Sequence, residues 1–152
     1  MEQPMEFEFE GRIYKIGRRT FEVEDLFRRW LERNALLALQ RHADAINPVQ
    51  YQQQMDNWVR DCAAEIYDFE GYHSMIAQTS RTGQKELAYL TLGAFNREAP
   101  VRRDVIERLV ANPAKWAEFC AIQRAVNADP NSSAPETPKT EAGASESSNV
   151  NV

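Results

Sequence analysis

The chain has 152 residues, a net charge of −5 and 43% hydrophobic residues, which fits one ordinary globular domain with its own core. The negative charge disfavours binding to a nucleic-acid backbone, and no apolar run approaches the ~18 residues that a membrane span needs. The acidic beginning, MEQPMEFEFEG, lacks the basic and apolar regions of a secretory signal. These features predict a soluble cytoplasmic protein that does not contact a membrane.

A β-hairpin is predicted over residues 6–16, EFEFEGRIYKI. Phe7 and Phe9 alternate with glutamates, which is typical of a strand with one apolar face, and Glu10-Gly11 fits a tight turn before a second strand. An isolated hairpin is marginal in water. Its aromatic face must therefore pack on the helices that follow, or its edge must pair with another chain.

Two long amphipathic helices are predicted next. The first runs from Glu22 to about Ala45, with apolar residues at three- and four-residue spacing. Asn47-Pro48 ends it and starts the second helix, whose apolar face is formed by Tyr51, Met55, Trp58, Val59, Cys62, Ala63 and Ile66. A short turn between two such helices predicts a helical hairpin.

The C-terminal half continues the helical pattern after a break at Glu70-Gly71. Residues 72–83 fit a short helix followed by a loop, and residues 84–95 form another helix. The stretch EAPVRRDVIERLVANPAKW, residues 98–116, contains a helix start, a stop and a second start. Asn112 is the expected N-cap of the last helix and Pro113 its first residue; that helix fades near Asn127.

The composition changes from Ala128 onwards. Residues 128–152 are rich in Pro, Ser, Thr, Ala and Glu and contain no aromatic side chain, so they cannot bury enough apolar surface to offset the entropy of ordering. The sequence therefore predicts a mainly α fold with a small N-terminal β-hairpin (α+β). About five helices form a bundle within residues 1–127, and a disordered tail follows at 128–152.

No group of residues suggests catalysis. The two cysteines, Cys62 and Cys120, and the two histidines, His42 and His73, lie at no metal-ligand spacing. The glycines form no phosphate-binding loop, and the carboxylates fall on predicted helix surfaces or in the tail. We therefore expect no catalytic, cofactor-binding or metal site, and we expect both thiols to be buried and reduced.

One cluster of basic residues allows two interpretations. It comprises Arg18, Arg19, Arg28, Arg29 and Arg33. It could bind nucleic acid or an acidic partner, or it could be a solvated helix face balanced by Glu22, Glu24, Asp25 and Glu32. The interleaved acids favour the second interpretation, because they pair with the arginines at helical spacing and cancel their field.

The tryptophans are the candidate partner contacts. Trp30, Trp58 and Trp116 each lie on the apolar stripe of a different predicted helix. They could be core anchors, or they could line a groove for a partner helix; the sequence leaves both open. Together with Phe7 and Phe9, they form the predicted partner-binding set.

Several segments together resemble the tail assembly chaperones of long-tailed bacteriophages. They are the hairpin pattern F-x-F-x-G-x-x-Y-x-I, the acid-led helix VEDLFRRWLERNALL, and the run AYLTLGAFNREAPVRRDVIERLVANPAKWAEF. The similarity covers residues 6–125 and rests on the order of elements. It implies a non-enzymatic protein of the host cytoplasm that binds the tape-measure protein, keeps it soluble and passes it to the tail tube protein.

Two further points stay open at the level of sequence. The alternative function is a structural or regulatory adaptor that binds nucleic acid through the Arg18–Arg33 surface. A homo-oligomer is compatible with either function.

Overall fold

The computed structural model describes residues 3–128, and within them six α-helices follow a two-stranded antiparallel hairpin. The elements are β1 (Met5–Phe9), β2 (Arg12–Ile16), α1 (Phe21–Arg41), α2 (Pro48–Ala63), α3 (Tyr72–Thr79), α4 (Arg81–Phe95), α5 (Arg103–Val110) and α6 (Pro113–Asn127). The predicted mainly α fold with an N-terminal hairpin is confirmed. Apart from Ala128, the predicted tail lies outside the described residues.

The hairpin turns at the predicted position. Glu10 and Gly11 both have positive φ, 50° and 77°, which is the backbone of a type I′ two-residue turn and matches the twist of the strands. Phe7 lies opposite Tyr14 in the register. One face of the hairpin is buried, and it packs mainly on α4 and α6. The aromatic face is therefore covered by the chain's own helices.

Helix α4 lies at the centre of the molecule, because it contributes to both hydrophobic clusters. Ala88 and Leu92 belong to the hairpin cluster, which also contains the buried residues Phe7, Phe9, Tyr14, Ile16, Val101, Ile106, Leu109 and Phe119. Leu87 belongs to the α1 cluster, whose other buried members are Val23, Phe27, Leu31, Tyr67 and Phe69. The same helix therefore joins the hairpin side of the fold to the α1 side.

Side-chain oxygens cap four of the helices. The capping residues are Thr20, Asn47, Ser80 and Asn112, each accepting a backbone N–H three residues later, at 2.8 to 3.3 Å. This satisfies one of the donors that the first turn of a helix leaves free. The predicted cap at Asn112 and the predicted helix start at Pro113 are confirmed.

Two helix ends fall earlier than predicted. Helix α1 ends at Arg41, and Ala43–Ala45 forms a separate 3₁₀ turn. Helix α2 ends at Ala63 and does not reach Ile66, because Glu65 has a left-handed φ of 59° that closes the last turn. Its N–H bonds the carbonyl of Cys62 at 3.1 Å, a common way to stop a helix.

The loop predicted at the end of residues 72–83 is absent from the described chain. Helix α3 ends at Thr79, Ser80 caps the next helix, and α4 begins at Arg81. Gly83 permits this close junction, because a Cβ there would overlap the carbonyl of Ala77. The described residues therefore contain six helices, where the sequence predicted about five.

Candidate partner-binding surface

Helix α3 presents its large apolar side chains to solvent. Tyr72, Met75 and Ile76 are 72%, 61% and 49% exposed. They occupy positions i, i+3 and i+4, so they lie on one face of the helix. We call these three side chains the α3 face. Single exposed apolar residues are ordinary, but three adjacent ones on a short helix form a patch of the kind that marks an interaction site.

The opposite side of α3 explains why the large residues point outwards. Ser74 is fully buried, and its Oγ accepts a hydrogen bond from Nε2 of Gln78 at 3.0 Å. Ala77, three residues later, packs on the α1 cluster. Small side chains here let α3 approach α4 closely where Gly83 meets Ala77. The tight contact with α4 therefore selects small inner residues and leaves Tyr72, Met75 and Ile76 outside.

Helix α2 is the least buried long helix of the described chain. No residue of α2 is buried, and the helix packs chiefly on α1. Val49 and Val59 are exposed on α2, and Leu37 is exposed on α1. The two helices form the predicted hairpin, and its surface carries additional apolar side chains.

Trp30 and Trp58 connect α2 and α1 and remain half-buried. The indole Nε1 of Trp58 donates to the backbone carbonyl of Glu32 at 3.0 Å. Trp30 stacks on Phe27, with ring centroids 5.4 Å apart. Both tryptophans pack against the α1 cluster. They therefore combine an anchoring role with partial exposure.

Trp116 is placed in the same way on the other side of the molecule. Its ring stacks on that of Phe119 at a centroid distance of 5.4 Å, and it packs at the edge of the hairpin cluster. It also lines a surface cavity next to α6. None of the three tryptophans is fully buried.

Phe7 and Phe9, predicted as partner contacts, lie inside the core. They are 1% and 4% exposed, and the Phe7 ring meets Phe119 edge-on at 5.7 Å. Their side chains are therefore not available to a partner in this structure. The physical reason is that a two-stranded hairpin has no stable apolar face of its own, so α4 and α6 bury it.

Two of the five arginines in the basic cluster, Arg28 and Arg29, are paired with neighbouring acids. Arg28 bonds Asp25 at 2.6 Å and Glu32 at 2.8 Å, and Arg29 bonds Asp25 at 3.1 Å. These are the three- and four-residue pairs that the sequence favours. The hydrogen bond from Arg28 is the main cause that lowers the pKa of the Asp25 carboxyl. The charges of Arg28 and Arg29 are therefore already paired within α1.

A groove beside the start of α1 is strongly acidic. It has a volume of about 590 Å³. Its lining includes Glu24, Asp25, Glu65, Asp68 and Glu70, together with the exposed ring of Phe21. No group of three or more His, Cys, Asp or Glu residues in the described chain has the arrangement of a metal site.

The thiols show no sign of activation. Burial raises the pKa of Cys62 and of Cys120, and a raised pKa lowers the fraction of reactive thiolate. A catalytic cysteine requires the opposite shift. His73 packs against Tyr67, with ring centroids 5.0 Å apart.

Sequence reasoning missed the α3 face. The signal was the spacing of Tyr72, Met75 and Ile76 against Ser74 and Gln78, but an apolar stripe is normally assigned to the core. Within residues 3–128, no helix is both long enough and apolar enough to cross a membrane. Comparison with protein-family models, with curated proteins and with solved structures found no match.

Proposed function

We propose that this chain is a non-enzymatic phage tail assembly chaperone that binds a helix of the tape-measure protein on the α3 face. In the host cytoplasm it keeps that partner soluble and passes it to the tail tube protein. The observation that carries the proposal is the outward-facing set Tyr72, Met75 and Ile76. The resemblance in the order of elements over residues 6–125 supplies the identity of the partner.

The chemistry of the α3 face fits a helical partner. An amphipathic helix is recognised through apolar anchors at i, i+3 and i+4 that lie against apolar side chains of the receptor. A long tape-measure helix offers such anchors repeatedly. Fully burying a side chain of this size is worth at most roughly 1.5–3 kcal/mol, and these three are already partly covered, so the α3 face supplies a reversible affinity.

The net charge supports a holding role. At −5, the chaperone repels its own copies and stays soluble while it exposes apolar residues. A partner that is kept soluble must later be released, and a patch of three residues on an eight-residue helix favours release over permanent assembly.

The proposal is tested by co-expression with the tape-measure protein. The full chain should raise the soluble yield of that partner. The triple variant Tyr72→Ala, Met75→Ala and Ile76→Ala should lose most of this effect while keeping a native melting temperature, because these side chains are exposed.

The matched control removes three exposed apolar side chains elsewhere. Ile13→Thr, Phe21→Ala and Val49→Ala act on residues that are 59%, 84% and 77% exposed. This control should retain the soluble yield. An unchanged yield in the α3 triple variant, or an equal loss in both variants, would contradict binding on the α3 face; no gain from the wild-type chain would contradict the chaperone function.

A further inference from the structure

Arg19 is a half-buried cation that takes part in none of the ion pairs found among residues 3–128. It lies in the connector between β2 and α1, where its backbone N–H donates to Oδ1 of Asn127 at 2.7 Å. Its guanidinium lies 4.4 Å above the ring of Phe69. The Nε atom is buried without a hydrogen-bond partner among residues 3–128. Burial lowers the pKa of Arg19, which indicates that the protein alone solvates this charge poorly.

The same arginine lines a cavity of about 380 Å³ beside α6. The wall also contains Arg124, Gln78, Gln84, Gln123 and Trp116, and no Asp or Glu. None of the ion pairs in the described part of the chain involves Arg19 or Arg124. The chain has 23 acidic and 18 basic residues, so a cavity wall with two arginines and no acid stands out.

The amides of the wall are held in place and still have free donors. Gln84 donates through Nε2 to the carbonyl of Gln78 at 3.0 Å, and Gln123 donates through Nε2 to Oγ1 of Thr91 at 3.3 Å. Each amide nitrogen carries two N–H groups, so each has one left for a ligand. Arginines and amide donors are the groups that bind carboxylates and phosphates.

We propose that this cavity binds an oxyanion, a carboxylate or a phosphate, through Arg19 and Arg124, with the attached part of the ligand against Trp116. Charges removed from water are normally paired, and an oxyanion here supplies a partner for the half-buried guanidinium of Arg19. The volume is in the range of small-ligand sites. This inference does not depend on the proposed chaperone function.

Two sources can supply the oxyanion. One is a free organic or inorganic anion. The other is the chain itself, because Ala128 lies on the cavity wall and the sequence continues with a segment that contains Asp129, Glu136, Glu141 and Glu146 against the single basic residue Lys139. Both sources present the same chemistry to Arg19 and Arg124.

Alkylation of the two cysteines tests the site with an internal reference. Cys120 lines this cavity, whereas Cys62 lines the acidic groove beside α1. Adding inorganic phosphate or citrate to the full chain should slow the reaction of Cys120 with iodoacetamide relative to Cys62. The expected protection is about tenfold when the probe is at ten times its Kd. Sodium chloride at equal ionic strength is the control.

Variants connect the protection to the arginines. Arg124→Gln should weaken it strongly, and this exposed residue can be changed without disturbing the core. Arg19→Gln should do the same. The control Arg18→Gln, at an exposed neighbouring position that does not line the cavity, should behave as wild type.

A full-length variant with Asp129→Asn, Glu136→Gln, Glu141→Gln and Glu146→Gln distinguishes the two sources. If the chain's own carboxylates occupy the site, this variant should speed up Cys120 alkylation and respond more strongly to phosphate. If a free anion occupies it, the variant and the wild type should respond alike. The inference is overturned if neither probe nor neutralisation changes the Cys120 rate, or if Arg124→Gln leaves the protection intact.

Discussion

Glu86 and Arg103 form a two-point ion pair that joins α4 to α5 at the edge of the core. The carboxylate of Glu86 is buried, and it receives hydrogen bonds of 2.6 Å and 3.2 Å from the Arg103 guanidinium. The same guanidinium lies 4.1 Å above the ring of Tyr89. The hydrogen bond to Glu86 is the main cause that raises the pKa of Arg103, so the guanidinium stays protonated.

Removing one partner of this pair should cost more than removing both. Arg103→Met should lower the free energy of unfolding by roughly 1–3 kcal/mol, because it leaves a buried carboxylate without its donor. The double variant Glu86→Leu with Arg103→Met should regain part of that loss, since no buried charge remains. Urea denaturation measures both values.

The nearby pair Lys85–Glu107 is the control for this prediction. Its atoms are 2.7 Å apart, but Glu107 is mostly exposed. Lys85→Met should therefore change the free energy of unfolding by less than about 1 kcal/mol. If Arg103→Met and Lys85→Met lower the free energy of unfolding equally, the burial of Glu86 does not contribute to the cost of losing its partner.

Two helical glycines should respond to alanine in opposite directions. Gly83→Ala should destabilise the protein by about 2–3 kcal/mol, because the new methyl group meets the Ala77 carbonyl and pushes α3 from α4. Gly93→Ala should stabilise it by about 0.5–1 kcal/mol, because nothing lies within 4 Å of its added Cβ and alanine is the better helix former. Thermal denaturation of both variants, side by side, makes this comparison. A neutral Gly83→Ala would argue against the close junction.

Trp58 should be a moderate stability determinant. Its ring is half-buried and its indole N–H bonds the Glu32 carbonyl, so Trp58→Ala should cost about 2–3 kcal/mol, below the range for a fully buried aromatic. Trp58→Phe keeps most of the packing and should lose about 1 kcal/mol for the hydrogen bond. Because α2 packs chiefly on α1, amide exchange in α2 should rise first. Uniform acceleration across α4 would contradict this local effect.

The Asp25 ion pairs should make stability depend on pH in acid. The pKa of Asp25 is lowered, first by the hydrogen bond from Arg28. A group whose pKa is lower in the folded state contributes stability above its unfolded pKa of about 3.9, and the contribution is lost as the pH falls through the folded value. Asp25→Asn should therefore destabilise the protein at pH 7, and the difference from wild type should shrink below about pH 4.

The matched control for this titration is Asp44→Asn. Asp44 is exposed in the 3₁₀ turn and takes part in none of the ion pairs found in residues 3–128. The stability difference between Asp44→Asn and wild type should therefore be equally small at pH 7 and below about pH 4. If the stability difference between Asp25→Asn and wild type stays constant with pH, the ion pairs with Arg28 and Arg29 contribute no stability.

The fold was predictable wherever local chemistry decides the backbone. Alternation of Phe7 and Phe9 with glutamates marks the first strand, and Asn112-Pro113 marks a helix start whatever surrounds it. The junction at Ser80 was missed because Gly83 weakens the helical signal. Its role depends on contact with Ala77, which is a tertiary property.

The candidate site was harder to predict for a related reason. Periodicity identifies which residues share a face of a helix, but it does not say which face turns inwards. An amphipathic helix usually turns its large apolar side chains inwards. On α3 the close approach to α4 leaves room only for small side chains, so Ser74 is buried and Met75 is exposed. The same limitation placed Phe7 and Phe9 among the partner contacts, although α4 and α6 cover them.

The contact of Phe7 with Phe119 has a consequence for folding during synthesis. The first strand leaves the ribosome long before α6, so its aromatic side lacks the cover that α6 provides until almost the entire described chain has been translated. Contacts this distant in sequence form late and slow the closing step. Nascent chains that stop before residue 119 should therefore be the species most at risk of aggregation and degradation.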